Sequence, residues 1–409
     1  MKLKFVLTTL ALGAGLAMAQ NANQGVTRAE ITLGTIQDLS GPLAGYGKQA
    51  RNGMQLRIDE LNEQGGIQGR KAKLLVEDSS YDPKKAVLAA QKLVNQDKIF
   101  AMVGHMGTAQ NLAAMPVLLE KNIINFFPLS ASRDLFEPVH RLKYAFLPTY
   151  FDQARIAAPR LMKERNFTKA CIIYQDDDFG LELLRGAEAG LKVINMEFVE
   201  KTSFKRGATD FSTQVAKLSA AGCELVVLGT VIRETVATIG TARKTGFNPV
   251  FVASAAAYTD LIPKLGGKAM DGLYATMTAK QPYLDELAQP VRFWASKYQT
   301  KFNEDPTVFS VYGYYAIDSF VRAAQKAGPE LTTDSFVKAM DSITISGDAF
   351  GSALATFSPS KHLGSPYSRL SQLQDGKWKV VSDYAGFNGL KMVPQKDGRN
   401  NVTSEFFND

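Results

Sequence analysis

The chain has few of the residues that hydrolytic enzymes and metalloproteins depend on. Its only histidines, His105, His140 and His362, fall in unrelated segments. No spacing among them suits a metal ion, and no set of serine, histidine and aspartate can be drawn. Cysteine is scarcer still. Cys171 and Cys223 each open an apolar run, "ACIIYQ" and "CELVVLGT". If those runs are neighbouring strands the sulfurs can meet, and an oxidising compartment would permit a bridge. The geometric demands are strict, so two buried free thiols are the expectation. Basic runs are absent as well. The formal charge of +7 is spread along the chain, without the clustering that a nucleic-acid footprint requires. No apolar run reaches the roughly 20 residues of a membrane span.

What the chain does have begins with an export signal. Lys2 and Lys4 precede an apolar run from Phe5 to Leu16 and the small-x-small site Ala17-Met18-Ala19. That pattern predicts a signal peptide over residues 1–19, cleaved before Gln20. No cysteine near the cleavage site is available for a lipid anchor, so a freely diffusing, monomeric periplasmic protein is expected.

With 45% hydrophobic residues in 409, there is material for two cores. Strand-like runs alternate with helical patterns. "ITLGTI", Ile31 to Ile36, is followed by a helix in which Ala50, Met54, Ile58 and Leu61 recur at helical spacing, stopped by Gly65-Gly66. "KAKLLVED" comes next, then a helix capped by Asp82 and opened by Pro83, then "IFAMVG", a helix from about Ala109, and "IINFFPLS". The series restarts near Lys169 with "KACIIY" and runs to "PVFVAS". Strands that are apolar without alternation predict parallel sheets covered on both faces, an α/β fold in two similar units. Beyond Gly272 come "LYATMT", helices around Trp294 and Tyr315, and a hairpin in "LSQLQDGKWKVVS" with Gly376 in its turn. A polar tail, irregular from about Asn388, is expected to end the chain.

Three loops follow strands of the first unit. "SGPLAGYGKQ", residues 40–49, has the glycines of a phosphate cradle, but Lys48 falls one position late and Gln49 stands where a metal-binding hydroxyl belongs. What remains is a glycine loop leading into a helix start, with Tyr46 exposed to a cleft or merely to solvent. "GHMGTAQN" offers Thr108 at another helix start, where free N–H groups attract a carboxylate. "PLSASRD" offers Ser130 and Ser132. Each alone can be a cap; together, at the edge where parallel sheets bind ligands, they describe a pocket for a small anion without metal or cofactor. Asp176-Asp177-Asp178 reads as capping, since a calcium loop spaces its oxygens at alternate positions. Arg233 is either a cleft residue or a solvated first-turn residue.

"SGPLAGYG", "GMQLRIDELNEQGGIQGRKAKLLVEDSSYDPKKAVLAAQKLV", "MVGHMGT" and "PLSASRD" resemble the periplasmic leucine/isoleucine/valine-binding proteins, type I solute-binding subunits of ABC importers, over about Ile31 to Lys379. The resemblance implies two Rossmann-like parallel-sheet lobes joined by three hinge crossings, with one ligand between them and a permease of the inner membrane as partner. The first lobe would comprise residues 28–147 and 275–347, the second 148–274 and 348–390, with 391–409 as the tail. Crossings would fall near Leu147 to Tyr150, Tyr274 to Met277 and Gly347 to Gly351. Residue by residue, Tyr46 matches a cleft tyrosine. Gly107 and Thr108, with Ser130, Ala131 and Ser132, match the loops that hold the ligand carboxylate. Phe179 and Phe309 match cleft aromatics, and Tyr150 joins them at a hinge.

Two departures bear on the ligand. Amino-acid binders of this family carry an acidic partner for the ammonium after the strand matching "PVFVAS", where this chain has Ala255-Ala256-Ala257. A second acidic position is Tyr150. The carboxylate grip is kept and the ammonium grip is not, which predicts a carboxylic acid, plausibly aromatic, rather than a free branched-chain amino acid. Two other readings stand beside it. One is an exported hydrolase using His105 beside Thr108, which lacks a third orienting group. The other is a binding protein that hands its closed form to a sensor.

Overall fold

The computed structural model describes residues 24–388 and 391–394; the expected signal peptide and residues 395–409 of the expected tail lie outside them. The first unit runs through β1 (Glu30–Gln37), α1 (Ala44–Glu63), β2 (Lys71–Asp78), α2 (Pro83–Gln91), β3 (Ala101–Val103), α3 (Thr108–Glu120), β4 (Ile124–Phe126) and β5 (Lys143–Tyr144). Its five-stranded sheet has the order β2-β1-β3-β4-β5, parallel throughout. β1 is buried on consecutive residues from Leu33 onward, as a strand covered on both faces must be. The start of α2 follows its sequence signal: the Asp82 carboxylate accepts from the N–H groups of Lys84 (2.7 Å) and Lys85 (3.1 Å), one turn into a helix that opens with Pro83.

The second unit comprises α4 (Tyr150–Glu164), β6 (Ala170–Gln175), α5 (Asp178–Val193), β7 (Phe198–Phe204), α6 (Ser212–Ala220), β8 (Leu225–Gly229), α7 (Ile232–Lys244), β9 (Val250–Ala253), the short α8 (Leu261–Gly266) and β10 (Tyr274–Met277). The chain then returns to the first unit with α9 (Gln289–Phe302), α10 (Val308–Ala327) and α11 (Thr333–Met340). Phe320 of α10 and Phe336 of α11 pack edge-on against Phe126 of the first sheet, with centroids 5.9 and 5.5 Å away. After the small pair β11 (Thr344–Ile345) and β12 (Ala355–Thr356), the chain crosses a third time to the hairpin β13 (Arg369–Gln374) and β14 (Lys377–Val380). The second sheet has the order β14-β13-β10-β9-β8-β6-β7, with β13 and β14 its antiparallel edge.

Four expectations are corrected. The third crossing does not fall at Gly347 to Gly351: residues up to Leu363 stay with the first unit, where Leu363 bridges Ala145 and Phe357 packs against Phe127 and Tyr144, and the chain crosses after them. Residues 274–277 do not form a crossing, and 275–277 do not belong with the first unit. They are β10, parallel to β9 and antiparallel to β13, and the return to the first unit starts after Met277. Cys171 and Cys223 are not free thiols. β6 and β8 are adjacent and in register from Ala170 opposite Leu225, which brings the two Cα atoms to 5.8 Å, and the sulfurs form a disulfide. The chain is not irregular from Asn388: β15 (Ala385–Asn388) pairs antiparallel with β16 (Lys391–Pro394).

Glycines bring one pair of helices close in each unit. A Cβ on Gly53 of α1 would lie 1.9 Å from the carbonyl oxygen of Ser310, and one on Gly313 of α10 would lie 2.1 Å from that of Ala50. In the second unit, a Cβ on Gly186 or Gly190 of α5 would meet the carbonyl oxygens of Phe151 (2.2 Å) or Arg155 (2.4 Å) in α4. Only a residue without a side chain allows these backbones to touch. Each contact sets an aromatic pair at the sheet edge: Tyr46 with Phe309, and Tyr150 with Phe179.

Candidate functional site

In the first sheet the strand order reverses between β1 and β3, so the connections after them leave in opposite directions and open a crevice. After β1, the glycine turn wraps the buried Asp38. Its carboxylate accepts from the N–H groups of Gly41 (2.5 Å) and Leu43 (2.6 Å); burial raises its pKa against the lowering effect of those bonds. The turn therefore encloses its own anion. One turn into α1, the Tyr46 ring stacks on Phe309 with centroids 3.7 Å apart. Its hydroxyl donates to the carbonyl of Ala256 (2.6 Å), beyond β9 of the second sheet.

After β3, Gly107 takes a φ of 91°. A Cβ there would also crowd Gln110 Oε1 at 2.2 Å, but it is the positive φ that calls for glycine. α3 starts at the next residue without a side-chain cap, which leaves first-turn N–H groups available to an acceptor. The hydroxyls of Thr108 and Ser130 stand 2.7 Å apart, and both residues are buried. Ala131 and Ser132 are buried beside them. The Ala131 carbonyl accepts the Tyr150 N–H at 2.8 Å, and Ser132 precedes a short turn without capping it. Burial pushes the Tyr150 hydroxyl up to about 12, against hydrogen bonds from the Ala131 backbone and Ser130. The Tyr150 ring meets Phe179 edge-on at 5.0 Å.

The structure thus groups the expected residues into a stacked pair (Tyr46, Phe309), a hydroxyl pair (Thr108, Ser130) and an edge-on pair (Tyr150, Phe179). The units also touch directly. Arg133, just past Ser132, pairs with Glu182 of α5 at 2.8 Å. Arg206 of the second unit stands over the Tyr81 ring at 5.0 Å and pairs with Asp177 at 2.6 Å. Asp177 caps α5 through the N–H groups of Phe179 and Gly180, so the aspartate run is capping and ion pairing. Among the described residues no group of three or more His, Cys, Asp or Glu could hold a metal ion. Arg233 is exposed, the solvated one of its two readings.

His105 is fully buried, and burial alone pushes its pKa down to about 3. Neither ring nitrogen has a hydrogen-bond partner, while the Thr108 hydroxyl is paired with Ser130. The His105–Thr108 pair needed for hydrolysis is not formed.

Two buried residues that the sequence reading does not single out are Tyr81, which meets Arg206 of the second unit, and Glu234. Tyr81 lies within "SSYDP", with its carbonyl accepting from Gln110 Nε2 at 2.6 Å. Its only sequence signal is an aromatic in the turn before Asp82-Pro83. Glu234 is in the first turn of α7, where an acidic residue reads simply as a complement to the helix dipole.

Two parallel-sheet units with a shared crevice, joined by three passages of chain, define a type I periplasmic binding fold. A family model described as "Periplasmic binding protein" matches residues 30–377, and the chain belongs to that family. Among curated relatives, an amino acid binding protein of Pseudomonas aeruginosa is 27% identical over 319 residues, covering 76% of this chain and 84% of that one. The Leu/Ile/Val-binding protein of Escherichia coli is 26% identical over 265 residues, covering 63% and 72%. Among solved structures, a fatty acid ABC transporter substrate-binding protein from Thermomonospora curvata superposes with TM-score 0.81 at 22% identity, covering 88% and 94%. A branched-chain amino acid ABC transporter protein from Thermus thermophilus with bound valine gives 0.79 at 18%, covering 88% and 97%.

Proposed function

We propose that this chain is the periplasmic solute-capturing subunit of an ABC importer of the branched-chain amino-acid type, and that it takes a small carboxylate, aromatic or aliphatic acid or amino acid, into the cleft between its two units. One observation carries the reading: a buried hydroxyl pair, Thr108 and Ser130, 2.7 Å apart at the uncapped start of α3. Hydroxyls and helix-start N–H groups stabilise an anion without bringing a counter-charge that would itself need desolvation.

The family and the curated relatives support the binding role, and the disulfide suits an oxidising compartment. Taking the first lobe as residues 28–147 and 278–363, and 148–277 and 364–388 as the second, the ligand docks on the first lobe. Contacts such as Tyr46 to Ala256 and Arg133 to Glu182 form as the lobes close. A ligand that gains contact from both lobes favours the closed form by that difference in affinity, and the closed form is what the permease receives.

Calorimetric titration with leucine, phenylalanine and their deaminated acids tests this. Thr108→Val should weaken binding of whichever acids bind by about 1–3 kcal/mol, because a buried carboxylate oxygen loses its donor. An unchanged dissociation constant contradicts the proposal.

A further inference from the structure

The loop between β3 and α3 holds two glycines in the left-handed region, Gly104 at φ 62° and Gly107 at 91°. Glycine gives a loop more conformational freedom than any other residue. The start of α3 can receive an anion only while its N–H groups keep one direction, so that freedom has to be limited. Asn111 limits it. It is the fourth residue of α3 and only 1% exposed. Its Nδ2 donates to two carbonyls of the loop, those of Gly107 at 2.7 Å and His105 at 2.8 Å. Two carbonyls on one side fix which end of the amide is nitrogen, and Oδ1 on the other side faces Nδ2 of Asn125 in β4 at 3.4 Å.

Each of the two bonds reaches one half of the hydroxyl pair. In a trans peptide the N–H points opposite to the C=O. Holding the Gly107 carbonyl, which also accepts the Asn111 N–H at 3.2 Å, therefore aims the Thr108 N–H out of the helix start. The His105 carbonyl also accepts the Leu129 N–H at 2.9 Å, and the Leu129 carbonyl accepts the Gly107 N–H at 3.3 Å. Leu129 is the residue before Ser130. The loop carrying Ser130 is thus stitched to the loop carrying Thr108, and Asn111 holds the seam. Without its two donors the loop peptides are free to turn, and a carbonyl turned outward meets an anion with its negative end.

We propose that Asn111 is the positioning residue of the anion site. With both amide hydrogens occupied by the loop, it does not touch the ligand; it fixes the direction of the Thr108 N–H and the spacing of the Thr108 and Ser130 hydroxyls. The inference rests on the capture of a carboxylate proposed above.

The test measures affinity for leucine, phenylalanine, 4-methylpentanoate and 3-phenylpropanoate by calorimetry. It uses the full chain, Asn111→Leu, Asn111→Ala, Thr108→Val, and a double variant joining Thr108→Val to whichever Asn111 variant folds, as judged by circular dichroism. A folded Asn111 variant should bind the tightest acid at least fivefold more weakly than the parent chain. A merely structural role would lower the melting temperature and leave that constant in place. Because Asn111 acts through the same grip, the loss in the double variant should fall short of the product of the two single losses by twofold or more, whereas independent effects multiply. A loss below fivefold, losses that multiply, or failure of both Asn111 variants to fold overturns the role of Asn111. If Thr108→Val still weakens binding in those cases, carboxylate capture stands. An unaffected Thr108→Val, or no binding of any of the four acids, removes the capture reading and the role of Asn111 with it.

Discussion

The two sheets present the same reversal of strand order to the cleft but line it with different chemistry. At the first, the start of α3 offers Thr108 and Ser130, neutral hydroxyls in mutual contact. At the second, Glu234 is buried in the first turn of α7 and Phe179 in the first turn of α5. Duplicated topology fixes where the ligand-facing positions lie, and single side chains at those positions fix what is recognised.

The halves also differ in how they are held together, and this gives the largest expected effect. Only the second sheet has a covalent tie, between Cys171 and Cys223 across 52 residues of sequence. Replacing both cysteines with alanine should cost about 2–5 kcal/mol of stability. Chemical denaturation in urea measures it, and the loss should appear as earlier unfolding of the second unit. A loss below about 1 kcal/mol, or one falling on the first unit, would remove this distinction between the halves.

A smaller effect separates the two helix seams. Gly313→Ala places a methyl group where the Ala50 carbonyl oxygen is 2.1 Å away, and Gly190→Ala does so at 2.4 Å from that of Arg155. Both variants overpack a backbone contact, at a cost of about 1–3 kcal/mol each. The tighter α1–α10 seam should suffer more, and thermal melting of the two variants ranks them. The reverse ranking would show that the α4–α5 seam is the more rigid of the two.

Much of this architecture was legible in the sequence, because non-alternating apolar strands and helix caps such as Asp82-Pro83 are local signals. The hydroxyl and aromatic residues proposed for the cleft came from the family's motifs. What could not be read depends on strand order. The run "LYATMT" is apolar whichever sheet it joins, and only its pairing with β9 and β13 assigns it to the second. The cysteines meet because β6 lies beside β8, a neighbour relation with no local signature. The β15–β16 pairing likewise follows from contacts beyond the strands themselves, since Ala385 bridges to Ser368.

The central claim is that the ligand sits between the two strand-order reversals, with its carboxylate on the first. A crystal structure of the chain with its tightest-binding acid tests this most directly. The account predicts the carboxylate within hydrogen-bonding distance of the Thr108 and Ser130 hydroxyls, with Tyr46 and Phe179 against the remainder. A ligand seated in the other groove between the units, the one lined by Asp260, Tyr283, Asp305 and Lys377, would contradict it.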